Sequence, residues 1–117
     1  MIFEDKLTGE ILTVKPLEKR IDASSSANFK GHMVDWINEG KKHIVLDLSG
    51  VDFIDSSGLV AIVSVLKMIG PGGDLVICGM KETVMNLFRL TRMNRVFQIF
   101  PSREAAVNTL SNLSTTG

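Results

Sequence analysis

The apolar residues of the chain fall into short continuous runs and longer runs at helical spacing, and their order predicts an alternation of strands and helices. His43-Ile44-Val45-Leu46-Asp47-Leu48 is continuous rather than alternating, as expected of a strand covered on both faces or lying among parallel neighbours. It is therefore placed inside a sheet. After a bend at Ser49-Gly50, Phe53-Ile54-Asp55-Ser56-Ser57-Gly58-Leu59 leads into a helix spanning Gly58 to Ile69. That helix is apolar nearly all round, at Leu59, Val60, Ala61, Ile62, Val63, Val65, Leu66 and Met68, so it must be largely buried. Gly70-Pro71-Gly72-Gly73 reads as a turn and Asp74 to Cys78 as a second apolar strand. Strand, helix and strand with a tight return predict a right-handed parallel crossover.

The flanking elements follow the same logic. Ile2 to Lys6 and Ile11 to Pro16 read as a hairpin, with Leu7-Thr8-Gly9-Glu10 between them and Thr8-Gly9 as the turn signal. Leu17 to Ser26 is polar and irregular, and its closing serines, Ser24 to Ser26, are placed to cap a helix from about Ala27 to Glu39. In that helix Phe29, Met33, Trp36 and Ile37 recur at three- and four-residue spacing, which makes Trp36 a packing residue. Gly40 ends it. Lys81 to Thr91 predicts a third amphipathic helix through Val84, Leu87 and Phe88. Met93 to Phe100 gives a turn and a short strand over Val96 to Ile99. A last helix starts at Pro101-Ser102, with Ser102 as cap and Glu104 in its first turn, and ends near Leu110. Ser111 to Gly117 is expected to be a flexible, frayed tail.

With 117 residues the chain is expected to form one domain over 1–117. Lys plus Arg and Asp plus Glu balance at 13 each, so no basic excess points to nucleic acid or to an anionic membrane. Neither is expected as a partner. The run Leu59 to Ile69 is about half the ~20 residues a membrane span needs, and Met1-Ile2-Phe3-Glu4-Asp5 lacks the pattern of a signal peptide. The single cysteine, Cys78, cannot form an internal disulfide; with these features it predicts a cytoplasmic location. His32 and His43 stand apart and no carboxylate cluster joins them, so neither a metal nor a resident cofactor is expected.

Candidate chemistry concentrates where Asp55, Ser56, Ser57 and Gly58 interrupt two of the most apolar stretches. One reading is a plain helix cap, since such side chains accept hydrogen bonds from the first unpaired N–H groups. The other is a modification site. One cap needs one acceptor, yet two hydroxyls stand here beside a glycine that lets something approach the backbone closely. A phosphate at a helix N-terminus also meets free N–H donors and a positive dipole end. Residues alone leave both readings open. Acyl-transfer chemistry is disfavoured, because no histidine is placed as base and the glycine spacing is not that of a nucleophile elbow.

Ile44-Val45-Leu46-Asp47-Leu48-Ser49-Gly50-Val51 followed by Phe53-Ile54-Asp55-Ser56-Ser57-Gly58-Leu59 resembles the signature of the STAS domain, most closely that of bacterial anti-sigma factor antagonists. Gly72 to Cys78 and Val84 to Phe100 resemble the following strand and the closing segment, so the likeness covers about two thirds of the chain. The resemblance implies an α/β sandwich with a four- or five-stranded mixed sheet and four helices, acting as a binding module and not as an enzyme. It maps the phosphate acceptor onto Ser56, with Asp22, Asp55, Ser57, Gly58 and Leu59 as the shell of the partner-binding surface. Ser56 is expected ahead of the first helical turn and more reachable than Ser57, and a phosphate there would lie beside Asp52 and Asp55.

By the same resemblance, the unphosphorylated form binds an anti-sigma factor that is also a serine kinase and so releases a sigma factor, and a PP2C-type phosphatase restores it. Other outputs of the same domain are a different signalling complex, a lipid-transport ATPase partner or small-ligand binding at the helix tip. Lys19 stands where family members have glycine, and Val60 where antagonists have a small residue; both would alter the docking surface.

Overall fold

In the computed structural model, which describes residues 1–116 and the side chains of residues 1–112, β4 (His43–Asp47) is the middle strand of a five-stranded sheet. Its neighbours β2 (Ile11–Pro16) and β6 (Asp74–Cys78) are both parallel to it. On one edge β1 (Phe3–Thr8) pairs antiparallel with β2; on the other β7 (Ile99–Phe100) pairs parallel with β6, giving the order β1-β2-β4-β6-β7. The sheet is mixed, as expected.

The continuous apolar pattern of β4 is explained by two cores. Ile44 and Leu46 point into one, which also holds Leu12, Val14, Leu75 and Ile77 from neighbouring strands. Over this face lie α1 (Ser26–Asn38), α2 (Ser56–Ile69) and α3 (Glu82–Leu90), contributing Phe29, Met33, Ile62, Val65, Val84 and Phe88. Val45 points the other way, into a smaller cluster with Val76 and Cys78 that α4 (Arg103–Thr116) covers through Ala106 and Leu110. Four helices thus sandwich the sheet. Trp36 packs against the larger core and meets the Phe3 ring edge-on at 5.2 Å, a packing role.

Several boundaries differ from those expected. β1 continues to Thr8, and the hairpin loop is only Gly9-Glu10. Gly9 has φ +62 and supplies the conformation that a two-residue connection requires. Inside the stretch expected to be irregular, β3 (Arg20–Ile21) pairs in parallel with β5 (Phe53–Ile54), a two-stranded ribbon apart from the main sheet. The serine run does not cap α1. Ser25 makes no side-chain capping bond; its Oγ accepts from the Asp22 N–H at 3.1 Å, and the Asp22 carbonyl accepts from the Ser25 and Ser26 N–H groups. The acceptor role has moved upstream to Asp22, which shapes the turn before the helix.

α2 starts at Ser56, earlier than Gly58. Phe97 is buried against Phe88, ring centroids 6.0 Å apart, so Met93–Arg95 forms a 3-10 turn and the strand is delayed to Ile99. Ser102 does cap α4, accepting from the Ala105 N–H at 3.2 Å, but the helix runs to Thr116 rather than ending near Leu110. Of the segment expected as a tail, Gly117 lies outside the described residues. Among the described residues no helix is long and apolar enough to cross a membrane.

Candidate functional site

Asp55 immediately precedes α2 in extended conformation, φ −97 and ψ −174, and is the N-cap. Its Oδ1 accepts from the Gly58 N–H at 3.0 Å and its backbone carbonyl from the Leu59 N–H at 3.0 Å. The second oxygen reaches elsewhere: Oδ2 accepts from the Ala23 N–H at 3.2 Å, in the turn before α1. One carboxylate therefore finishes α2 and ties it to the β3–α1 connection. Ser56 and Ser57 are then the first two residues of the helix, not residues ahead of it. Ser56 is exposed and Ser57 half-buried, and among the described residues neither hydroxyl has a hydrogen-bond partner.

Gly58 is buried against the chain itself. A Cβ here would lie 2.3 Å from the Ile21 carbonyl oxygen and 2.9 Å from Cγ2 of Ile54. The close approach that the glycine permits is to β3 and β5, and the Asp55 N–H donates to the same Ile21 carbonyl at 3.3 Å. Leu59, also buried, joins the core beneath. These two residues fix the height of the first turn, while Ser56 and Val60, one turn apart on the outer face, meet solvent; Val60 is 63% exposed.

The surroundings are more neutral than the count of aspartates suggests. Asp52 is paired with the Lys81 ammonium, whose hydrogen bond holds the Asp52 carboxyl below its ordinary range, and its carbonyl accepts from Thr83 Oγ1 at 3.1 Å. Asp22 Oδ1 accepts from the Ser24 hydroxyl at 2.7 Å and the Ser24 N–H at 3.0 Å, which lower its pKa, while Oδ2 takes the Arg20 Nε–H at 3.3 Å. Arg20 also lies over the outward face of Phe53, 4.3 Å from the ring centroid, and Phe53 is 40% exposed. Asp22 and Arg20 line a depression of about 370 Å3 with Leu17, Lys19 and Ser24. Lys19 joins through its carbonyl, which accepts from the Asp52 N–H at 2.7 Å; its φ is not positive, so this backbone position has no need of glycine.

The structure thus brings Asp22, Asp55, Ser56, Ser57, Gly58 and Leu59 to one end of the molecule, some at its surface and some beneath it. Sequence reasoning missed Ala23, the Arg20–Phe53 stack and the Lys81–Asp52 pair, all of which depend on a ribbon whose two-residue strands carry no periodic signal. The remaining reactive groups are elsewhere. His43 Nδ1 lies 2.9 Å from Asp74 Oδ2 at the opposite end of β4, and burial pushes the Cys78 thiol up to about 12. Among the described residues no group of His, Cys, Asp and Glu could hold a metal ion.

The STAS domain profile matches residues 4–106, and the chain belongs to the STAS domain family. It is 28% identical over 103 residues to BtrV of Bordetella bronchiseptica, a candidate anti-sigma factor antagonist, with 87% of each chain covered. An anti-sigma F factor antagonist of Paenibacillus polymyxa is 38% identical over 73 residues, 62% of this chain and 60% of that one. The crystal structure of a candidate anti-sigma factor antagonist from Thermotoga maritima superposes with a TM-score of 0.85 at 28% identity, covering 92% of both chains.

Proposed function

We propose that this chain is an anti-sigma factor antagonist, a single STAS domain that works in the cytoplasm as a binding module switched by phosphorylation of Ser56. It is not an enzyme. Its unphosphorylated form binds an anti-sigma factor that is also a serine kinase, so that a sigma factor is released; the kinase, with ATP and magnesium, phosphorylates Ser56, and a PP2C-type phosphatase removes the phosphate. The relatives named as antagonists support the class of partner.

The observation that carries the reading is the redundancy of the Ser56 hydroxyl. The cap is already supplied by Asp55, and Ser56 is exposed in the first turn without a hydrogen-bond partner among the described residues. A side chain that the fold does not use is available for modification. Phosphorylation adds ~1.5 to 2 negative charges. Asp52 is already paired to Lys81, and the carboxylate of the adjacent Asp55 is committed to two backbone N–H groups. The new charge would therefore stand on the outer face of α2, where Ser56 and Val60 are exposed.

The test is incubation with an anti-sigma factor kinase from the same genome, ATP and magnesium, followed by phosphosite mapping. Ser56 should carry the phosphate and Ser57 should not. Modification of Ser57 alone would move the switch by one residue, and an unmodified protein that still binds the kinase would leave a constitutive binder.

A further inference from the structure

The outer edge of the sheet carries a second, independent feature. β1 is the terminal strand of the main sheet, six residues long, and all but Phe3 are exposed. Its hydrogen-bond parity follows from the hairpin. Thr8 and Ile11 flank a two-residue loop and so form a hydrogen-bonded pair; the Leu17 N–H donating to the Ile2 carbonyl at 2.9 Å continues the same alternation. The even-numbered residues of β1 therefore bond to β2. Phe3, Asp5 and Leu7 turn their N–H and C=O groups outward, to an edge that no other strand pairs with among the described residues.

Edge strands deter addition by carrying charge, but of the three charges here, Glu4, Asp5 and Lys6, the two that share a face, Glu4 and Lys6, are opposite in sign. In an antiparallel pairing of β1 with a second copy, only outward-facing residues can form the new hydrogen-bonded pairs. Asp5 opposite Asp5 is the register that engages all three, with Phe3 opposite Leu7 on both sides. The same register places Glu4 opposite Lys6 of the second copy, twice, at the closer non-hydrogen-bonded positions. Shifting either way loses an outward residue and sets Glu4 against Glu4 or Lys6 against Lys6. Phe3 faces α1, stacking on Phe29 at 6.1 Å, so its pairing with Leu7, itself 52% exposed, would extend that apolar surface across the junction.

We propose that β1 is a self-recognition edge: two copies join antiparallel through it, about a two-fold axis at Asp5, into one continuous ten-stranded sheet. The occupant is a second copy because the edge is complementary in charge and register to itself. A single added strand is a small interface, so the dimer is weak, with a Kd of about 10 to 500 µM. Asp5 facing Asp5 is its one repulsive contact. The proposal uses no residue of the α2 tip, so it does not rest on the role of Ser56.

Sedimentation equilibrium between about 10 µM and 1 mM tests it. The wild-type chain should show a monomer–dimer equilibrium. Glu4→Lys replaces two attractions by two repulsions and should weaken it about tenfold; the swap Glu4→Lys/Lys6→Glu should restore it, and Asp5→Asn should tighten it. Amide exchange should slow with concentration at Phe3, Asp5 and Leu7. A monomer throughout, a dimer indifferent to Glu4→Lys, a swap that fails to rescue, or protection confined to another surface would each overturn the proposal. If Glu4→Lys fails to fold, Asp5→Asn and the exchange pattern decide it.

Discussion

Gly58 lies against Ile21: a Cβ on the glycine would come within 2.3 Å of the Ile21 carbonyl oxygen, a backbone atom already accepting from the Asp55 N–H. In an open first turn of a helix, Gly→Ala would stabilise by up to about 1 kcal/mol. Here the sign reverses. Room for the methyl group can come only from moving β3 or lifting α2, and overpacking of this kind costs about 1 to 3 kcal/mol. Gly58→Ala should lower the denaturation midpoint by a net amount in that range; an unchanged or raised midpoint would show that the contact is soft.

Asp55 and Ser56 are adjacent, yet their substitution should have unequal consequences for stability. Asp55→Ala removes the α2 cap and the acceptor of the Ala23 N–H together, and loss of a cap alone costs about 0.5 to 2 kcal/mol. Ser56→Ala removes a hydroxyl with no partner among the described residues and should stay within about 0.5 kcal/mol of wild type. Urea melts of both variants decide it. Equal destabilisation would return Ser56 to a capping role.

The contrast between those two residues marks where sequence reading reaches its limit. The runs Ile44 to Leu46 and Leu75 to Cys78 announce the middle strand and its parallel neighbour, because burial on both faces leaves continuous apolar stretches; the run Leu59 to Ile69 announces α2 but overstates its burial, since only the face of Leu59, Ala61, Ile62 and Val65 is buried while Val60 and Met68 meet solvent. The resemblance then marked Ser56. What the sequence could not decide was which of Asp55, Ser56 and Ser57 caps the helix, since all three can accept the bond. Nor could it assign what approaches Gly58. The answer lies in Ile21, more than thirty residues upstream on a strand too short for any period. The charge balance of the site was equally hidden: Asp52 is paired with Lys81, the residue that precedes α3, across a contact made only in the folded chain.

Acid should weaken the fold through Asp47, whose side chain is 8% exposed at the end of β4. Burial opposes its charge, but the Ser49 N–H at 2.9 Å and the Arg103 guanidinium at 2.9 Å outweigh that cost and hold its pKa below 3.8. A carboxylate with a lowered folded pKa contributes stability that is present above the unfolded value and lost as pH falls through the folded one. Asp22 and Asp52 shift in the same direction. The melting temperature should therefore hold between about pH 7 and 5 and drop below about pH 4. Asp47→Asn should cost about 1 to 3 kcal/mol at neutral pH and make the acid slope shallower. A slope identical to wild type would place the acid sensitivity in other groups.

Ser56→Asp separates a switch from a structural residue. A carboxylate in the first turn of α2 is favoured by the helix dipole by a few tenths to about 1 kcal/mol, and Asp55 beside it opposes that gain. The fold should survive with little change in stability. Binding should not. If the anti-sigma factor covers the first turn of α2, the added charge must be desolvated there without a partner, a cost of about 2 to 5 kcal/mol, which weakens affinity tens- to thousands-fold. Ser56→Ala should bind as wild type does and become insensitive to kinase and ATP. Titrating both variants against the kinase by calorimetry, alongside their melts, gives the answer. Wild-type affinity for Ser56→Asp would mean that the partner docks elsewhere, and loss of binding in Ser56→Ala would make the hydroxyl a contact rather than a switch.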